Sequence, residues 1–195
     1  MTQAHATPLS VERKPRGGIG QMLRHFWQTL SRFPLGDRLF SLMVALKAPY
    51  TGTIGARVLE LAPRFARVEM RDRWFVRNFV PSIHAIAMTN LGEMTSGLAL
   101  LCGLPAGMRG IVKKLTTEYF KIAHGTLVAV CQAPAVAASE EKCVYTVEAH
   151  LYQLCEKGAP EAVQLPSLVD IPDERTYGIL VATFTAEWHI SPAGK

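Results

Sequence analysis

Residues 83–104 form the most apolar stretch of the chain, and everything that follows has the character of β-strand. A helix apolar on nearly every side has to be enclosed. His84, Asn90 and Glu93 lie within it, which argues against a membrane span. The pattern predicts a helix over 82–102, with Ser82 after Pro81 as its cap and Gly103, Pro105 and Gly107 ending it. Strands are expected at 54–61 and 65–70 before this helix, and at 111–121, 125–132, 143–152 and 178–190 after it. A long proline-bearing loop spans 156–175. Strands in direct succession favour antiparallel pairing over repeated βαβ units. The expected class is therefore α+β, with an antiparallel sheet wrapped around one long central helix.

The N-terminal part is different. Residues 1–18 read as a disordered tail, 19–47 as a helical arm and 48–195 as the main domain. In the arm, Met22, Leu23, Phe26, Trp27 and Leu30 share one helical face. After Pro34 and Gly36, Asp37 is placed to cap a second helix whose apolar face is Leu39, Leu42, Met43 and Leu46. The first helix is expected to cover the core rather than lie on an anionic membrane.

The net charge of +5 is unevenly distributed. Residues 1–77 hold 13 Lys and Arg against 5 Asp and Glu, whereas residues 78–195 hold 8 against 11. No nucleic-acid motif accompanies the basic part, so nucleic acid is not an expected partner. Cys102, Cys131, Cys143 and Cys155 form no C-x-x-C pair and have no paired histidine spacing, which argues against a metal site. Free thiols and the lack of an apolar leader suggest a cytoplasmic protein.

The candidate chemistry sits at the start of the long helix: Asn78, His84, Ala85 and Glu93. Glu93 lies nine residues beyond His84, so the two project from opposite sides and are separated by roughly 13 Å along the axis. They cannot meet within one chain. They meet if a second copy packs antiparallel beside the first. Thr89, Asn90, Ser96 and Gly97 surround Glu93 as a narrow stripe of polar and small residues. Burying a carboxylate there raises its pKa and suits it to act as general base or nucleophile; a hydrogen-bonded core carboxylate is the competing reading. At the helix start the first N–H groups lack helical partners, so the amide of Ala85 suits a developing oxyanion. His84 and Asn78 are placed to hold a carbonyl or a water; a simple capping histidine is the alternative.

The element order, the N-x5-H spacing and the acid nine residues later resemble a hotdog-fold acyl-CoA thioesterase of the PaaI-like group. More closely still, Ala48-Pro49-Tyr50, Asn78 and the run from Ser82 to Glu93 resemble an uncharacterised hotdog subfamily known only as a domain of unknown function. The resemblance covers about residues 48–152 and leaves the N-terminal helices unexplained. It implies a homo-oligomer, a dimer or a dimer of dimers. Asn78 and His84 of one subunit would position the thioester or water. The Ala85 amide would be the oxyanion donor, and Glu93 of the other subunit the base or nucleophile. It implies no metal or redox cofactor, coenzyme A entering only as part of an acyl-CoA-like substrate. PaaI-like enzymes usually carry His-Gly-Gly, whereas this chain has His84-Ala85-Ile86. A non-catalytic acyl-ligand or lipid-binding module, or an interaction protein using its basic arm, is the alternative. Arg64, Arg67, Arg71, Arg73 and Arg77 near Asn78 form either a basic entrance for coenzyme phosphates or a solvated strand face.

Overall fold

A computed structural model of the protein describes residues 18–139, 141–169 and 176–193. The tail expected at 1–18 lies outside these residues, Gly18 excepted. Three helices come first: α1 (Ile19–Leu30), α2 (Gly36–Lys47) and the short α3 (Pro49–Gly52). A hairpin follows, β1 (Arg57–Ala62) and β2 (Phe65–Met70). A 3-10 turn at Trp74–Val76 leads to α4 (Ala85–Gly103). The remaining strands are β3 (Met108–Tyr119), β4 (Leu127–Gln132), β5 (Cys143–Leu154), β6 (Val163–Gln164) and β7 (Tyr177–Pro192).

Every strand pair is antiparallel, in the order β1-β2-β4-β5-β7-β3, with β6 added to β7. The sheet curls around α4, which packs against β1, β2, β3, β4, β5 and β7. This is the α+β arrangement expected from the sequence. The enclosure explains why α4 is apolar over most of its surface: Leu91, Leu98, Ala99, Leu100 and Cys102 are all buried. Fit is close where α4 crosses β7. A Cβ on Gly92 would sit 2.4 Å from the Phe184 side chain, so only glycine permits this approach.

The arm packs on the open side of this unit. Leu23 of α1 is buried, and Trp27 and Leu30 pack against the same core, so α1 covers α4 as expected. Trp27 meets Phe40 of α2 edge-on, their ring centroids 5.1 Å apart. The face of α2 differs from expectation. Phe40 and Ser41 point inward and Met43 and Val44 pack partly against the core, while Leu39, Leu42 and Leu46 are exposed. The helix has apolar residues on two sides, and the shape of Phe40 against Trp27 selects the inward one. Asp37 is not the cap either. Leu35 occupies that position in the left-handed region, with φ 63°, and Asp37 pairs instead with Arg57 of β1. The loop expected over 156–175 contains the two-residue strand β6.

Candidate active site

The chain enters α4 through a narrow loop. Arg77 bridges to Ile83, the Asn78 N–H donates to the Ser82 carbonyl at 3.0 Å, and the His84 N–H donates to the Val76 carbonyl at 2.8 Å. Ser82 was expected to cap the helix. It lies two residues too early, and its hydroxyl instead bonds the side-chain amide of Asn78 at 3.0 Å. The cap is His84, whose Nδ1 accepts the Ile86 N–H at 3.0 Å. A ring nitrogen that accepts has no proton, which leaves Nε2 as the ring's N–H. The His84 side chain is exposed.

This cap divides the labour at the helix start. The Ile86 N–H is occupied by His84, while the Ala85 N–H, at the first helical position, has no intrahelical acceptor. The Ala85 carbonyl accepts from the Tyr119 hydroxyl at 2.9 Å and from the Thr89 hydroxyl at 3.2 Å. Thr89 also lies 2.7 Å from Tyr119 Oη and 3.0 Å from Thr117 Oγ1. The hydroxyls of Thr89, Thr117 and Tyr119 therefore lock the first turn of α4 to β3. Thr117 and Tyr119 are residues that the sequence did not single out. Their two-residue spacing puts them on one face of a strand, but nothing local shows that α4 passes beside it.

Glu93 is half-buried, and among the described residues its carboxylate has no hydrogen-bond or ion-pair partner. Burial pushes its pKa above the ordinary value of 4.5. The polar residues around it are engaged elsewhere. Asn90 donates to the Tyr50 carbonyl at 3.3 Å, and the Ser96 hydroxyl donates to the backbone carbonyl of Glu93 at 3.1 Å. Ile86, Thr89 and Glu93 follow the i, i+3, i+7 rule, so they form one line along α4. Among the described residues no hydrogen bond joins Glu93 to Asn78 or His84.

Most of the arginines near Asn78 serve the fold. Arg67 is buried and pairs with Glu60 at 3.0 Å, and the Arg64 Nε donates to the Ala133 carbonyl at 3.0 Å. Arg71 pairs with Glu69 at 3.0 Å and Arg77 with Asp72 at 2.6 Å. The hydrogen bond from Arg77, helped by one from the Gly125 N–H, holds the Asp72 carboxyl below its usual range. Arg73 lies over the Phe75 ring. The run is therefore neither a uniform phosphate entrance nor a uniform solvated face. Among the described residues no group of three His, Cys, Asp or Glu side chains is arranged to hold a metal ion. All four cysteines are free, with burial pushing the Cys102 thiol to about 11 and the Cys131 thiol to about 12. No described helix is long and apolar enough to cross a membrane.

A family profile described as a domain of unknown function, DUF4442, matches residues 36–162. The chain belongs to the DUF4442 family. The match runs from the first residue of α2 through the constellation at the start of α4 and on past β5. No curated protein matches the chain. Among solved structures, a structural-genomics target is 25% identical with a TM-score of 0.64, over 89% of this chain and 98% of that one. A Pseudomonas aeruginosa protein of unknown function, described as a probable thioesterase, is 20% identical with a TM-score of 0.61, over 83% and 97%. A mutant of the phenylacetic acid degradation protein PaaI from Thermus thermophilus is 19% identical with a TM-score of 0.50, over 72% and 97%. This member of DUF4442 has the hotdog fold.

Proposed function

We propose that the protein is a thioester hydrolase acting on an acyl-CoA-like substrate at a site shared by two copies of the chain. The observation that carries this reading is Glu93, a half-buried carboxylate with a raised pKa and no partner, on the open line of α4 beside β3. A raised pKa brings a carboxylate closer to the strength needed to take a proton near neutral pH. Solved structures of this fold that are described as thioesterases support the class of reaction.

In this reading Glu93 of one protomer takes a proton from water as the water oxygen bonds to the thioester carbon. The carbonyl oxygen becomes negative and is held by the Ala85 N–H of the other protomer, where the helix dipole is positive. Collapse breaks the carbon–sulfur bond, and the proton held by Glu93 passes to the leaving thiolate. His84 presents its Nε2–H outward beside the same amide and orients the carbonyl. Asn78, held by Ser82, forms the wall behind it. The second copy adds along β3, a twelve-residue strand at the sheet edge with Ile111, Leu115 and Tyr119 exposed. No metal or redox cofactor takes part.

The test is release of free thiol from short, medium, long and aromatic acyl-CoA esters. Glu93→Gln is expected to lower turnover by about 100-fold or more, the scale of an acid–base group, while binding persists. Equal rates in the two proteins would remove Glu93 from the mechanism. One observation favours a second reading, a binding module without turnover: Ile86, more than half exposed, stands at the helix start next to the amide that would hold the oxyanion. Acyl-CoA binding with no thiol release from any ester would select it.

A further inference from the structure

The molecule carries a second polar concavity, away from α4 and β3. A cleft of 360 Å³ opens between α2, the turn joining α3 to β1, and the end of β2. Arg38, Arg57, Arg71 and Arg73 line it together with Glu69 and the apolar Leu42. Two of these cations are compensated: Arg57 pairs with Asp37, and Arg71 with Glu69. Among the described residues neither Arg38 nor Arg73 has a carboxylate partner, so the cleft has positive charge left over.

The surroundings are apolar where water would be expected. Leu39, Leu42 and Leu46 form an i, i+3, i+7 stripe on the outer face of α2, and all three are exposed. Next to the cleft-lining Arg73 in the chain, Trp74 is 84% exposed and Phe75, under the Arg73 guanidinium, is also exposed. Gly55, which lines the cleft with φ 59°, leaves room for Arg73: a Cβ there would sit 2.9 Å from the Arg73 guanidinium. Residues 18–52 hold Arg24, Arg32, Arg38 and Lys47 against the single acid Asp37. Exposed leucines and a tryptophan around unpaired arginines match the apolar and anionic layers of a phospholipid surface in turn. A soluble phosphate ester would account for the arginines but not for the apolar stripe.

We propose that this face docks on an anionic phospholipid surface, with a headgroup phosphate in the arginine-lined cleft and the side chains of Leu39, Leu42, Leu46 and Trp74 entering the lipid. The cleft lies at the β1 edge, whereas β3 forms the other edge of the sheet, so a second copy added along β3 leaves it open. The inference does not depend on the thioester reading.

The test is flotation of the full chain with phosphatidylcholine vesicles, with and without phosphatidylglycerol. The protein is expected to float only with the anionic vesicles, and less as salt rises. Replacing both unpaired cations (Arg38→Ala with Arg73→Ala) should lower partitioning by about 30-fold, the scale of two cations at an anionic surface. Leu39→Ser with Leu46→Ser should weaken it comparably while fold and oligomeric state stay unchanged. Vesicles should shift tryptophan emission to the blue in the wild type, and less so in Trp74→Phe. Several results would overturn the proposal. They are no flotation of the wild type, equal flotation on neutral vesicles, and a smaller oligomer in the double leucine variant, which would make the face a contact between copies. Binding of adenosine 3′,5′-bisphosphate at the same arginines, with vesicle binding unaffected by the leucine changes, would make it a site for soluble phosphate esters instead.

Discussion

At one edge of the sheet β1 is six residues long and lies beneath α2; at the other, β3 runs for twelve residues with most of its side chains exposed. The β1 edge is closed by specific bonds. The Ser41 hydroxyl accepts the Val58 N–H at 2.8 Å, Arg57 pairs with Asp37, and the pairing with β2 is irregular between Val58 and Glu60. Among the described residues the β3 edge is paired on its inner side alone, to β7, and the hydroxyls of Thr117 and Tyr119 reach from it to α4. A long edge with large apolar side chains invites another strand, and a short, covered one does not. The contrast assigns different work to the two sides. In the two proposals above, a second copy and the thioester chemistry fall on the β3 side, and surface docking on the β1 side.

The sharpest way to break this comparison is to charge the open edge. Ile111→Glu with Leu115→Glu should convert the oligomer to monomer by light scattering and lower turnover by about 100-fold or more, as loss of the base would. An intact oligomer would move the interface elsewhere. A smaller effect is expected at the closed edge. Ser41→Ala leaves the buried Val58 N–H without its acceptor, at a cost of about 1–3 kcal/mol in urea unfolding, with oligomeric state and turnover unchanged. Tyr119→Phe removes one hydroxyl, while Thr89 still bonds the Ala85 carbonyl. About 1 kcal/mol of stability should be lost, with the fold intact by circular dichroism.

The smallest effect concerns pH. Burial raises the pKa of Glu93 above 4.5 in the folded chain. As pH rises from that ordinary value through the folded one, the unfolded chain releases its proton first. Stability therefore falls across this window, and the penalty is complete above it. Glu93→Gln should accordingly be more stable than the wild type at neutral pH. The gap between their urea midpoints should close below pH 4.5. A gap of the opposite sign would mean that the carboxylate gains a partner in the oligomer.

The long helix, the succession of strands and the antiparallel wrap were legible in the sequence because each rests on a local pattern of several residues. Helical spacing alone also separates Glu93 from His84, but the polar stripe read around Glu93 gives its carboxylate no hydrogen bond among the described residues. The parts that were not legible depend on neighbours distant in the chain. Ser82 looked like a cap by residue type, but the backbone turns into α4 only after Ile83 bonds the Ala123 carbonyl at 2.9 Å, and the imidazole of His84 then takes that role. On α2, Leu39 and Phe40 are equally apolar, and it is the core, with Trp27 edge-on to Phe40, that takes Phe40. Arg67 and Arg71 look alike in the sequence, yet Arg67 on β2 is sealed against Glu60, whereas Arg71, just past the end of β2, lines an open cleft. The hydroxyl contacts of Thr117 and Tyr119 with α4 leave no trace in local sequence.

The carboxylate that seals Arg67 also holds a segment outside any strand or helix. Glu60 Oε1 accepts from Arg67 Nη1 and from the Ser167 hydroxyl, and Oε2 accepts the Leu168 N–H at 2.7 Å. That amide lies 108 positions along the chain from its acceptor, yet it can exchange its hydrogen with solvent only when the grip of Glu60 is released. Its exchange should therefore be slow for a loop, and its rate should track loosening of the β1–β2 hairpin. Loss of a second chain from β3 should leave that rate untouched, so a single deuterium-labelled amide reports on the covered edge alone.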